Sequence, residues 1–285
     1  FYQIRHKFLM ASKTLHIIAG PTAVGKTAFA IERALALNCP IISADSRQIF
    51  KELSIGVAKP SQEELNKVQH YFIDHCSIHE AYNAGQYATD ARQLINELFG
   101  TLNDIVICGG TGLYIKALLN GLDPLPPQNP ELRQHLQKKF ETHGIAALQA
   151  ELQSLSAIAF QQIDHTNPQR LIRAIEIYLS PPATNTALPK FNYEFEVNKL
   201  VLDMDRSLLY QRIDNRVDQM IDMGLEQEAK NLIEHKDLNA LQTVGYKEWW
   251  PYFDGSYSKA EAIDKIKQHS RNYAKRQITW FKHQF

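Results

Sequence analysis

The run Gly20-Pro21-Thr22-Ala23-Val24-Gly25-Lys26-Thr27 fits Gly-x-x-x-x-Gly-Lys-[Ser/Thr] and follows directly on the apolar run Leu15-His16-Ile17-Ile18-Ala19. Behind it, Ala28 to Leu37 is a strong helix former. A strand, a glycine-bounded loop and a helix in that order leave little freedom. The loop amides must sit at a helix N-terminus and point at an anion. Gly20, Pro21, Thr22, Ala23, Val24 and Gly25 are therefore read as a phosphate cradle, with Lys26 reaching the terminal phosphates and the Thr27 hydroxyl ligating Mg²⁺.

Further along, short β-rich runs alternate with helical stretches: Pro40-Ile41-Ile42-Ser43-Ala44, Asp104-Ile105-Val106-Ile107-Cys108, and a later run from Phe195 to Asp203 followed by a long helix over Ser207–Gly224. Strand-helix-strand order predicts a parallel sheet covered on both faces. Ligands of such sheets gather beyond the carboxyl ends of the strands. The phosphate loop, Asp45-Ser46 and Gly109-Gly110-Thr111-Gly112 all fall there, so three loops are expected to converge on one site. Asp45 has two chemical jobs open to it, holding Mg²⁺ through water or taking a proton from a nucleophile. A plain loop or capping aspartate is the alternative. Thr111, flanked by glycines, is expected to present an amide and a hydroxyl to an anion.

Two Pro-rich joints, Asp123–Pro130 and Ser180–Asn185, bracket helical sequence. They predict a core over residues 10–124 and 195–285 with a helical insertion over 125–194. Inside the insertion Asn167-Pro168-Gln169-Arg170 reads as a helix start, with Asn167 as N-cap and Pro168 in the first turn. Arg170 and Arg173 share one face of that helix, and its apolar side is Leu171, Ile172, Ile175 and Ile177. An ordinary amphipathic helix whose arginines pair with acids reads equally well.

The 285 residues carry no net charge and are 44% hydrophobic, enough to bury a sizeable core. Bulk charge announces no nucleic-acid partner, so only its distribution can. From Lys265 to Phe285 the chain holds Lys265, Lys267, Arg271, Lys275, Arg276 and Lys282 and no Asp or Glu. On a helix Lys267, Arg271 and Lys275 form one stripe opposite Ile263, Ile266, Tyr273, Ile278 and Phe281, an arrangement that suits a phosphate backbone. A solvated charged face is the alternative. Trp280 and Phe281, like the cluster Tyr246, Trp249, Trp250, Tyr252 and Phe253, are read as core. Cys39, Cys76 and Cys108 lie far apart and are expected to be reduced, core-filling thiols. No His pair has zinc spacing, and no Ser-His-Asp arrangement can be read. No apolar run approaches the roughly 20 residues of a membrane span, and the residues before Met10, a candidate start, are too polar for a signal peptide. A cytoplasmic protein without membrane contact is expected.

Six motifs together resemble the tRNA dimethylallyltransferases, the isopentenyl-group transferases that modify an adenosine next to the anticodon. They are Gly20–Thr27; Ala44-Asp45-Ser46-Arg47-Gln48-Ile49-Phe50 continuing to Ile55-Gly56-Val57-Ala58-Lys59-Pro60; Gly109-Gly110-Thr111-Gly112-Leu113-Tyr114; Asn167-Pro168-Gln169-Arg170 with Arg173-Ala174-Ile175-Glu176; Val244-Gly245-Tyr246-Lys247-Glu248; and Tyr273-Ala274-Lys275-Arg276-Gln277-Ile278-Thr279-Trp280-Phe281. A simple nucleotide kinase would share only the first. The resemblance implies an α/β fold, a P-loop NTPase-like parallel sheet flanked by helices with a helical insertion domain. It implies that the cradle holds dimethylallyl diphosphate rather than ATP, with Mg²⁺, and that Asp45 is the general base. Lys26 and Thr111 would steady the departing diphosphate, and Arg212 and Arg216, four apart on a helix, are candidates for an added cationic clamp. It further implies that the tRNA anticodon stem-loop meets Asp45, Ser46, Arg47, Gln48, Thr111, Arg133, Gln169, Arg170, Leu171, Ile172, Arg173, Gly245, Tyr246, Lys247, Lys275, Arg276, Gln277 and Lys282, and that the chain works as a monomer. His70-Tyr71-Phe72 and Phe50 depart from the family pattern, which favours two histidines and a leucine, and a tyrosine. Neither departure touches the cradle or Asp45. A P-loop small-molecule kinase, a free-adenine-nucleotide prenyltransferase and a nucleotide-driven RNA-binding switch are the rival readings.

Overall fold

The computed structural model describes residues 12–126, 129–181 and 187–285. Met10 and the stretch Pro182–Asn185 of the second joint lie outside the described residues. Along the chain run β1 (Thr14–Ala19), α1 (Lys26–Leu37), β2 (Ile41–Ser43), α2 (Gln62–Lys67), β3 (His70–Tyr71), α3 (Ala84–Leu98), β4 (Asp104–Gly109), α4 (Gly112–Asn120), α5 (Pro130–Leu155), α6 (Ala157–Gln162), α7 (Pro168–Leu179), β5 (Glu196–Val201), α8 (Arg206–Asp222), α9 (Leu225–Asn231), α10 (Trp250–Phe253) and α11 (Lys259–Gln284). They form two compact units, Phe1–Asn120 with Lys190–Phe285, and Gly121–Pro189.

The first unit is an α/β layer built on one parallel sheet in the order β3-β2-β4-β1-β5. Every residue of β1 is buried, as a central parallel strand covered on both faces requires. Ile18 and Val106 from the sheet pack with Ala30, Ile31 and Ala34 of α1 into a closed core. β3 was not legible as a strand, being two half-buried residues paired to β2. β5 lies at the sheet edge and leaves Leu200 and Val201 exposed.

Register decides where the site forms. Ala19 stands opposite Gly109 and Ser43 opposite Cys108, so the chain leaves β1, β2 and β4 at one level. The three loops read from sequence therefore open at the same edge.

The second unit is helical, with Leu136 and Leu148 of α5 meeting Leu171, Ile172 and Ile175 of α7 in its own core. Two backbone hydrogen bonds between Leu122 and Leu188, of 2.9 and 3.1 Å, close its base. They set its limits inside the 125–194 expected at one end and before it at the other. Past Pro189 the chain already belongs to the first unit, where the Phe191 amide donates to the Leu119 carbonyl and Phe191 lies under the Arg92 guanidinium. α7 starts as its sequence dictates, the Asn167 side chain accepting from the Gln169 and Arg170 amides ahead of Pro168.

Candidate active site

The phosphate loop takes its shape from Gly25, whose φ of 106° lies in the left-handed region and directly precedes α1. Within the loop the Lys26 ammonium donates to the Pro21 carbonyl at 2.7 Å. Burial is the largest influence on Lys26 and lowers its pKa, against the opposing pull of Cys108 and Asp45. An ammonium desolvated in this way gains from an arriving anion. The Thr27 hydroxyl makes no hydrogen bond among the described residues. There is also no cluster of three metal-binding His, Cys, Asp or Glu among them. A metal here would be held by one hydroxyl, the substrate's phosphates and water, which suits Mg²⁺ rather than a cation needing a protein cage.

Asp45 leaves β2 and accepts the Arg47 amide at 2.9 Å and the Gln48 amide at 3.3 Å, both on Oδ1. The capping role is thus real, and it occupies one oxygen only. Oδ2 has no hydrogen bond among the described residues. Thr27, Lys26, Asp45 and Arg216 line one cavity of about 340 Å³ together with apolar Val217 and Met220. Cys108 packs against the sheet–α1 core as expected and also lines the cavity beside Lys26, where burial pushes its pKa up to about 12.

Both arginines of the expected clamp stand beside the loop. Arg216 approaches the Thr22 hydroxyl at 3.5 Å, and the Arg212 guanidinium lies 3.7 Å from where a Cβ on Gly25 would stand. Burial is the main reason that the pKa of Arg216 falls, and the like charge of Arg212 adds to it. A desolvated cation with an exposed like charge four residues away on α8 is a poor arrangement for stability alone and a good one for a diphosphate.

Thr111 has a role that its glycine setting did not suggest. Its amide donates to the Ala44 carbonyl at 3.1 Å, and its hydroxyl accepts the Ser46 amide at 3.0 Å. The amide is therefore taken, while the hydroxyl keeps its own hydrogen, 3.3 Å from Ser46 Oγ; Thr111 also fixes the turn that carries Asp45.

Several residues expected at tRNA have buried side chains. Leu171 and Ile172 belong to the core of the helical unit at 0% and 1% exposure. Tyr246 is buried with its phenol on Glu228, and Gln277 is buried between two loops. Arg173 and Arg133 both turn to the buried carboxylate of Glu176, each at 2.8 Å. On α11 the stripe divides, because Lys267 pairs with Asp218 and Arg271 with Asp214 across α8. Gln169, Arg170, Lys247, Lys275, Arg276 and Lys282 are exposed. Ser46, Arg47 and Gln48 line the cavity, Gln48 donating to the Ala58 carbonyl at 2.9 Å and Arg47 to that of Asn239.

Sequence reasoning missed Glu228. Its carboxylate accepts the Ile55 and Gly56 amides at 2.8 and 3.0 Å and the Tyr246 hydroxyl at 2.5 Å, tying together two walls of the cavity. Nothing in its helical context marks it, since its partners lie far away in the chain.

Fold and site together define a phosphate-loop α/β protein in which the loop's Lys26 and Thr27, the carboxylate of Asp45 and the guanidinium of Arg216 share one cavity. A family model described as IPP transferase matches residues 48–284. A tRNA dimethylallyltransferase from Cytophaga hutchinsonii is 45% identical over 95% of this chain and 90% of its own length. A tRNA dimethylallyltransferase 1 from Bacteroides fragilis is 41% identical over 96% and 92%. Among solved structures, the full-length tRNA isopentenylpyrophosphate transferase from Bacillus halodurans superposes with a TM-score of 0.68 at 35% identity, over 95% of this chain and 88% of that one. A eukaryotic dimethylallyltransferase acting on tRNA gives a TM-score of 0.72 at 25% identity, over 94% and 70%. The chain belongs to the IPP transferase family.

Proposed function

We infer that this chain transfers the dimethylallyl group of dimethylallyl diphosphate to N6 of the adenosine 3′ to the anticodon in tRNA, releasing diphosphate. The observation that carries the reading is the single cavity onto which both the phosphate loop and Asp45 open. The names of the relatives supply the substrate class.

An exocyclic adenine amine is a poor nucleophile because its lone pair is delocalised into the ring. Asp45 Oδ2 would hydrogen-bond that amine and take its proton as N6 attacks C1 of the dimethylallyl group, a contribution of about 10²–10⁴-fold. Loop amides, Lys26, Arg212 and Arg216 would hold the diphosphate and stabilise the charge that grows on it as the C1–O bond breaks. Mg²⁺, held by the Thr27 hydroxyl, would neutralise part of that charge. Val217 and Met220 give the prenyl chain an apolar wall. The adenine must leave the loop stack to enter, which an unpaired anticodon-loop base does at a cost of a few kcal/mol. Gln169 and Arg170 of the helical unit and Lys275, Arg276 and Lys282 of α11 would meet the RNA backbone, with one chain sufficient and the cytoplasm its place of work. Among the described residues no helix is long and apolar enough to cross a membrane.

The test is incubation with Mg²⁺, dimethylallyl diphosphate and unmodified tRNA bearing that adenosine, followed by nucleoside mass spectrometry, with AMP and ATP as parallel substrates. A dimethylallyl adduct on the tRNA adenosine alone is expected. Adduct on AMP, or ATP turnover with no adduct, would sink the reading. The charge assignment makes a second prediction. Replacing Arg276 and Lys282 with alanine should weaken tRNA binding and flatten the slope of log Kd against log salt by about 1 for each phosphate no longer neutralised. Lys267→Ala should leave that slope in place, because Lys267 already pairs with Asp218 at 2.6 Å.

A further inference from the structure

Gln277 is 6% exposed on α11, directly after the exposed Lys275 and Arg276. A buried primary amide must find partners at both ends, and this one spans two loops. Its Oε1 accepts the Thr22 amide at 2.8 Å, and its Nε2 donates to the Gly110 carbonyl at 2.9 Å. The fit is close. A Cβ on Gly110 would stand 2.3 Å from that Nε2, so a side chain there would push the amide away from where it now lies.

Each bond fixes more than a partner, because a trans peptide points its N–H and the preceding C=O in opposite directions. The Thr22 N–H and the Pro21 C=O belong to one peptide plane. With the N–H held by Gln277, the carbonyl is aimed the other way, where it receives the Lys26 ammonium at 2.7 Å. The second arm repeats the geometry. The Gly110 C=O and the Thr111 N–H share a plane; Gln277 holds the carbonyl, and the amide is aimed at the Ala44 carbonyl, which it reaches at 3.1 Å. Ala44 is the residue before Asp45. One side chain therefore sets the loop lysine through one peptide and the aspartate's turn through another.

We propose that Gln277 is a positioning residue that aligns Lys26 and Asp45 with each other, each through a single peptide plane, from the helix that carries the RNA-facing cations. The proposal rests on the transferase reading above and adds a role that contact with tRNA would not give. The two arms are chemically different, and that makes them separable. Gln277→Glu keeps an acceptor for the Thr22 amide and, when ionised, has no donor for the Gly110 carbonyl. Gln277→Met keeps the length of the side chain and loses both bonds.

The experiment measures three quantities on the whole chain: the Kd for inorganic diphosphate with Mg²⁺ and no tRNA, the Kd for tRNA, and single-turnover transfer. For Gln277→Met, diphosphate binding should weaken roughly tenfold, the scale of a missing buried hydrogen bond. Its transfer should fall by about 10²-fold, the scale of a misplaced reacting group. Gln277→Glu should bind diphosphate within about twofold of the parent and still transfer slowly, since its Lys26 arm is intact while its Asp45 arm is broken. Its transfer rate relative to the parent should rise as the pH is lowered, because a protonated carboxyl regains a donor for the Gly110 carbonyl. A purely structural role would instead lower the melting temperature and diphosphate binding together with transfer in both variants. If both variants bind diphosphate like the parent and lose only tRNA affinity, Gln277 is an RNA contact and the proposal is wrong. Equal losses in both variants at every pH, with a lowered melting temperature, would also overturn it. A parent protein that binds no diphosphate or transfers nothing would instead count against the transferase reading, before any variant is compared.

Discussion

Asp45→Asn should lower the single-turnover rate of prenyl transfer by about 10²–10⁴-fold, the usual worth of a positioned base, and leave tRNA affinity within about twofold. The substitution isolates the proton-accepting role because of how the parent carboxylate is used. Oδ1 accepts the Arg47 and Gln48 amides, and an asparagine Oδ1 can do the same, so the turn holding Ser46, Arg47 and Gln48 in the cavity keeps its shape. Oδ2 becomes an amide nitrogen, which cannot take a proton from N6. Asp45→Ala would be a poorer test, since it removes the cap along with the base. The competing role for Asp45, holding Mg²⁺ through water, predicts a different result: raising Mg²⁺ should then restore the asparagine variant. Full turnover by Asp45→Asn at low Mg²⁺ would remove Asp45 from the chemistry altogether.

The cradle and the three converging loops were legible because both are local. A loop of fixed glycine and lysine spacing between an apolar run and a helix former has few other shapes, and parallel strands of matched register bring their ends level without further instruction. What escaped depends on partners that spacing does not reveal. The glycine setting of Thr111 points to an anion, and gives no sign that its amide is taken by the Ala44 carbonyl or that its hydroxyl accepts the Ser46 amide and so holds the neighbouring strand's loop. Leu171, Ile172, Tyr246 and Gln277 sit inside stretches carried over whole from a family pattern, whereas helices and turns send some residues of any contiguous stretch inward. The α11 stripe held a clue in the sequence itself. Asp214 and Asp218 are four apart on α8, as Lys267 and Arg271 are on α11, and two such ladders pair rung by rung. β3 and Glu228 gave no signal of their own, the first being too short for a period and the second acting only on distant amides.

Glu176 carries the largest expected effect on stability. It has no exposed side-chain surface; Oε1 accepts the Asn129 amide at 2.6 Å, and Oε2 accepts one nitrogen each from Arg133 and Arg173. Burial, the largest influence, would raise its pKa, but the hydrogen bonds from Arg173, the Asn129 amide and Arg133 together hold it below the ordinary 4.5. Glu176→Gln puts an amide NH₂ against at least one of these donors and leaves two guanidinium groups without their anion. Removing one partner of a buried charge pair costs about 3–5 kcal/mol. Arg133 and Arg173 retain 32% and 27% side-chain exposure and can recover some hydration, so the lower end of that range is expected. Hydrogen exchange of the α5 and α7 amides in the intact chain would register the loss as faster opening of the helical unit, with β1 and β4 unaffected. The pH dependence follows from the depressed pKa. The unfolded carboxyl titrates near its ordinary value, so its contribution is complete above that pH and fades as pH falls toward the lower folded value. The parent's helical unit should therefore loosen below about pH 4.5, and the glutamine variant, already loosened, should lack that part of the acid response. If the variant opens no faster than the parent at neutral pH, the two arginines are held by something other than this carboxylate.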